Sequence, residues 1–154
     1  MSRPIIMASD AQTQSAVVGT WRVVSVVSTN DQGVVKDFGH SPLGFITYTA
    51  DGRMSVIITS TDRKPLSVND SAAAPPEERA EAFATMVAYA GRYSFTGDKV
   101  VHHVEVSAVP NLVGTDLVRS AKLNGDRLSL RAPMQAGGEQ VVAEVIWQRL
   151  PKNE

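Results

Sequence analysis

Cysteine is missing from the 154 residues, which removes disulfides, thiolate metal sites and cysteine nucleophiles together. Charge of one sign is lacking too: 15 basic and 16 acidic residues leave a formal net charge of −1. A nucleic-acid partner calls for a basic excess, and an anionic membrane surface for a run of Lys and Arg; neither is present. No apolar run approaches the roughly 20 residues of a membrane span. The group Pro4-Ile5-Ile6-Met7-Ala8 is shorter than the roughly 7–15-residue apolar core of a secretory signal. The expectation is a cytoplasmic protein with no nucleic-acid and no membrane partner. There is no glycine-rich phosphate loop, serine elbow or dinucleotide fingerprint, so no cofactor is implied. His40, His102 and His103 are the only histidines. Adjacent residues of a strand point to opposite faces, so no metal site is expected from them.

What is there is an ordinary globular composition, 43% hydrophobic and 20% charged, at the length of one domain. Residues 1–17 read as a loose lead-in and 18–150 as the domain. Short apolar or alternating runs recur between turns, giving strands at Gly19–Ser28, Gly44–Thr49, Arg53–Ser60, Gly91–Phe95, Lys99–Ser107, Asp116–Leu123, Arg127–Arg131 and Gln140–Arg149. Tight breaks such as Ala50-Asp51-Gly52 and Asn124-Gly125-Asp126 supply hairpin residues. One helix is expected over about 76–90. Pro75 and Pro76 sit at its start with Glu77 and Glu78 in the first turn, and Phe83, Met86, Val87 and Ala90 form a stripe at helical spacing. The fold class is all-β: an eight-stranded antiparallel up-and-down barrel with one inserted helix. Closure removes exposed edges, and a barrel of about eight strands is wide enough for one small ligand.

Gly19-Thr20-Trp21 at the first strand, Gly44-Phe45-Ile46-Thr47-Tyr48-Thr49-Ala50-Asp51-Gly52-Arg53-Met54-Ser55-Val56, Tyr89-Ala90-Gly91-Arg92-Tyr93, His102-His103-Val104-Glu105, Pro110-Asn111-Leu112-Val113-Gly114-Thr115 and Asn124-Gly125-Asp126-Arg127-Leu128 occur in this order. The set resembles the bacterial and fungal lipocalin-like domain family, from Gly19 to about Arg149. The resemblance implies a β-barrel with a central pocket but no single activity: some lipocalin-like proteins of natural-product pathways act as cyclases or isomerases. It also implies that Trp21 packs at the barrel base with the basic Arg149 in a structural stack.

The chemistry must come from polar side chains that enter the barrel. Val100, His102, Val104 and Val106 share one strand face, and Val101, His103 and Glu105 the other. The more apolar set facing inward places His102 in the barrel. The opposite choice brings in His103 and Glu105, a carboxylate beside an imidazole suited to acid–base work. Leu117, Arg119, Ala121 and Leu123 are the more apolar face of their strand, so Arg119 is expected inside, with Glu105 or Glu144 as counter-charge or with a ligand carboxylate or carbonyl in its fork. Tyr48, Tyr89 and Tyr93 suit a pocket wall, and Asn111 a loop contact.

Three forms follow. One is a cofactor-independent isomerase, cyclase or lyase with His102 or His103 as acid or base, and Glu105, Arg119 and Tyr48 orienting the substrate. Another is a non-catalytic binder or carrier of a small apolar or amphipathic molecule. The third is a barrel filled by its own side chains and acting through a homodimer.

Overall fold

Alternation of period two writes the inside and outside of this molecule strand by strand. The computed structural model describes residues 13–136 and 138–152. Its strands are β1 (Gly19–Asn30), β2 (Gly33–Asp37), β3 (Leu43–Tyr48), β4 (Arg53–Thr59), β5 (Met86–Phe95), β6 (Lys99–Ser107), β7 (Asp116–Asn124), β8 (Arg127–Ala136) and β9 (Glu139–Arg149), with one helix, α1 (Pro76–Ala84), before β5. On β4, Met54, Val56 and Ile58 are buried while their neighbours face out. On β8, Leu128, Leu130 and Ala132 do the same. Every neighbouring pair is antiparallel, and β1 also pairs with β9, from Trp21↔Arg149 to Thr29↔Val142. The sheet therefore closes into an eight-strand up-and-down barrel, with β2 as an extra strand. No helix among the described residues is long and apolar enough to cross a membrane.

β1 holds the barrel together because it serves three partners. Gly19 to Arg22 pair with β3, Val26 to Asn30 pair with β2, and the other edge runs along β9 past an irregularity between Val23 and Ser25. The bulge lets one long strand bend from one neighbour to the next. β2 was not among the expected strands. It is five residues long, and its pairing with β1 through the Asp31-Gln32 turn creates it.

The helix is shorter than expected. It stops at Ala84, and Thr85 caps it, its backbone N–H donating to the Glu81 carbonyl at 3.1 Å and its hydroxyl to the same oxygen at 2.7 Å. Met86 to Ala90, expected as the last turns of that helix, are strand. Their apolar residues fit a helical stripe and an alternating strand alike, but β4 needs a partner along its whole length, from Thr59↔Met86 to Arg53↔Arg92. An unpaired edge on a barrel strand costs more than a weak helical preference returns.

The lead-in expected over 1–17 lies outside the described residues for 1–12, and the remainder is built into the base. Ala16, Val17 and Val18 donate to the carbonyls of Thr13, Gln14 and Ser15, and Val17 is buried. The Trp21 indole N–H donates to the Val17 carbonyl at 2.9 Å. The Arg149 guanidinium lies 4.2 Å from the centre of the Trp21 ring, donates to the Val18 and Ala16 carbonyls at 2.8 and 2.5 Å, and pairs with Asp126 at 3.0 Å. One side chain thus closes the bottom of the barrel. An Arg149→Ala variant is expected to lose roughly 2–3 kcal/mol, because two carbonyls lose charge-assisted donors and the ring loses its cation. Urea unfolding measures this; a change under about 0.5 kcal/mol would mean that the latch is ornamental.

Candidate functional site

Above that plug the barrel is hollow. A cavity of about 550 Å³ is lined mostly by inward residues of the strands: Val26, Ile46, Val56, Ile58, Val87, Leu130, Ala132, Val141, Ala143, Val145 and Trp147. Phe83 of α1, Val109 and Met134 also line it although each is largely exposed, which marks the open mouth. The form with a filled interior is therefore set aside. A charged cleft of about 470 Å³ lies outside the barrel, between residues 60–66 and α1. It is shaped by Arg63 bonding to Thr85 and the Ala82 carbonyl, which fixes the loop to the helix end.

Three polar side chains meet at one part of the cavity wall: Tyr89 from β5, His102 from β6 and Arg119 from β7. Successive antiparallel strands put them side by side, each on the inward phase of its own alternation. Tyr48 of β3 stands behind them, fully buried. Its hydroxyl lies 2.7 Å from His102 Nε2, and the Tyr89 hydroxyl lies 2.8 Å from His102 Nδ1. Both ring nitrogens are thus occupied. Burial, and after it the positive charge of Arg119 and the electrostatic influence of His103, lowers the His102 pKa to about 3. The imidazole is neutral at ordinary pH and has no free lone pair with which to act as a base. Burial also raises the Tyr48 and Tyr89 pKa values, with Arg119 pulling against that rise in both.

The other expected residues lie elsewhere. His103 points outward, its Nδ1 2.7 Å from Asp116. Glu105 is also outside, paired with Arg53 at 3.0 Å and near Arg92 at 3.9 Å. The sheet puts the alternate phase of β6 inside, so the pair His103 and Glu105 never enters the cavity. Val106 shares the phase of His102 by count and yet is exposed, because the register between β5 and β6 shifts between Ala90 and Gly91. Glu144 faces out as well, accepting from Ser129 at 2.9 Å beside Arg131 at 3.8 Å, so it is not a partner of Arg119. Tyr93 is core: its ring packs on Tyr48 at 4.6 Å and its hydroxyl donates to the Thr49 carbonyl at 2.8 Å. Asn111 sits in an exposed turn, Pro110–Leu112, away from the cavity lining.

Sequence reasoning missed Trp147 as a cavity residue. Its ring lines the cavity, and its buried indole N–H has no acceptor among the described residues. The alternation Val141, Ala143, Val145, Trp147 on β9 carried that signal.

A family model described as a lipocalin-like domain matches residues 18–150. A 4'-hydroxy-3'-methoxypropiophenone carrier protein of Aspergillus oryzae is 31% identical over 86 residues, covering 49% of this chain and 78% of that protein. Among solved structures, Rv2717c from M. tuberculosis is 16% identical with a TM-score of 0.42, over 96% of this chain and 100% of its own. A lipocalin whose expression the myc oncogene activates is 12% identical with a TM-score of 0.41, over 99% of this chain and 78% of its own.

Proposed function

The chain belongs to the lipocalin-like domain family, and on that footing we propose that it binds a small, mostly apolar molecule reversibly and without chemical change. The observation that carries this reading is the cavity of about 550 Å³, apolar over most of its wall, with Tyr89, His102 and Arg119 as its larger polar side chains. A volume of roughly 300–1,000 Å³ with few polar contacts is what small ligands occupy. The related carrier protein of Aspergillus oryzae adds support, since its name describes transport of a small aromatic ketone rather than its conversion.

Isomerisation or cyclisation is the weaker reading on the same geometry. Acid–base catalysis works best with a group whose pKa lies near the working pH. His102 is held neutral with both nitrogens engaged, and His103 and Glu105 face solvent. A carrier needs none of that chemistry; it needs room, an apolar wall and a few orienting hydrogen bonds.

The test uses the neutral fluorophore N-phenyl-1-naphthylamine. It is expected to bind at one site and to take excitation energy from Trp147, which lines the cavity. An Ala143→Trp variant, whose new ring fills the cavity, is expected to weaken binding by roughly tenfold or more, equal to about 1.4 kcal/mol. Absence of saturable binding, or an unaltered affinity in the filled variant, would sink the proposal.

A further inference from the structure

Resting on that binding reading, we propose that the ligand carries an anionic oxygen head, a carboxylate, phenolate or enolate, seated between Arg119 and Tyr89. The first observation is the isolation of Arg119. Its guanidinium lines an apolar cavity, and among the described residues it forms no ion pair. Its guanidinium makes a long hydrogen bond, 3.5 Å, to the carbonyl of Val118. The carboxylates expected as its counter-charge, Glu105 and Glu144, are engaged on the outer face with Arg53 and Arg131, and Asp116 of its own strand pairs with His103. A cation held against an apolar wall is costly until a counter-charge joins it, and a planar fork suits an oxygen anion.

The second observation is the direction of the Tyr48–His102–Tyr89 chain. A neutral imidazole has one N–H and one lone pair. Tyr48 is fully buried, and His102 Nε2 is the acceptor within reach of its hydroxyl. If Nε2 carried the proton, the Tyr48 O–H would be left unsatisfied, at a cost of about 1–3 kcal/mol. Tyr48 therefore donates to Nε2, and the proton of the ring sits on Nδ1, where it donates to the Tyr89 oxygen. Arg119 lines the same cavity as Tyr89, and against the rise that burial causes, its positive charge lowers the Tyr89 pKa. With its oxygen already accepting from Nδ1, Tyr89 keeps its own O–H for an acceptor in the cavity it lines. The indole N–H of Trp147 is one more donor without an acceptor among the described residues. Arg119 and Tyr89 thus ask for the same thing: an oxygen that only accepts.

Two probes of one skeleton decide this. N-phenyl-1-naphthylamine is neutral, and 8-anilino-1-naphthalenesulfonate is the same body with an anionic oxygen head. The sulfonate is expected to bind at least about tenfold more tightly, to displace the neutral probe at one site, and to lose that advantage in Arg119→Gln. The neutral probe is expected to keep its affinity within about twofold in that variant, and Arg119→Lys to restore part of the preference. Tyr89→Phe is expected to weaken the sulfonate severalfold and the neutral probe little. Equal affinities in the wild type, or a loss shared by both probes in Arg119→Gln, would overturn the anionic head while leaving the carrier reading intact. If neither probe binds, the carrier reading falls first and the inference with it. Thermal unfolding of each variant shows that the fold is retained.

Discussion

A Gly91→Ala variant is expected to lose roughly 3 kcal/mol or more of stability, its added methyl meeting the tightest contact among the described glycines. The Cβ would lie 1.9 Å from the His103 carbonyl oxygen and 3.0 Å from the backbone nitrogen of Glu105. Those are backbone atoms of the neighbouring strand, so no side chain can swing aside. The contact is tight because β5 and β6 change register there, from Ala90↔Val106 to Gly91↔Val104, and the bulge presses Glu105 against its neighbour. Relief would require the strands to part at the place that positions Tyr89 beside His102. Urea unfolding measures the loss. Gly52→Ala is the comparison: its Cβ meets nothing within 4 Å, and the variant is strained only by a φ of 90°. That strain is worth about 1 kcal/mol, so the two variants should differ by several-fold in cost. Equal midpoints would show that β5 and β6 do not approach so closely in solution.

Acid is expected to unfold this protein through His102. The folded state holds that imidazole neutral down to about pH 3, whereas an unfolded histidine takes up its proton near 6.5. Between those values the unfolded chain binds more protons than the folded one, so stability rises with pH and falls as acid is added. The contribution is complete above about pH 6.5 and is lost progressively toward about pH 3, at up to roughly 1.4 kcal/mol per pH unit. Glu78, held below the usual carboxylate range by hydrogen bonds from Ser67, adds a loss of the same sign at low pH. A His102→Gln variant separates the two. It is expected to be less stable than the wild type at pH 7, because the hydroxyls of Tyr48 and Tyr89 lose their fitted partner, and to show a shallower decline between pH 6 and 4. Chemical denaturation at a series of pH values measures both slopes; parallel curves would show that His102 protonates without difficulty in the folded state.

Much of this was legible in the chain, for reasons that differ from residue to residue. Arg119 could be placed inside because Leu117, Ala121 and Leu123 share its phase, and a charge among apolar alternates has no other place to point. The same rule puts His102 inside. Glu105 and Glu144 are candidates for the counter-charge of Arg119 in the sequence but not in the structure, because a sequence shows which residues share a face but not which cations wait on the outer side of the next strand. The pairing of His102 with two tyrosines was not legible. Tyr48 and His102 are 54 positions apart, and only closure of the barrel makes them neighbours. The segment Met86 to Ala90 went to the wrong structure because its pattern satisfies both periods. The choice was made by β4, which needed a partner.

The pairing of β1 with three strands has a consequence for how the protein comes into being. Its edge toward β9 is met by residues 142–149, the last stretch of the barrel to leave the ribosome. Until then Trp21 has no Arg149 above it, and about ten strand residues offer free backbone donors and acceptors to any passing chain. Contacts of such long sequence separation form late and slowly, and half-made sheets with open edges are prone to aggregation. The first strand of the barrel to be synthesised is thus the last to be satisfied, and yield in the cell should depend on how quickly β9 arrives.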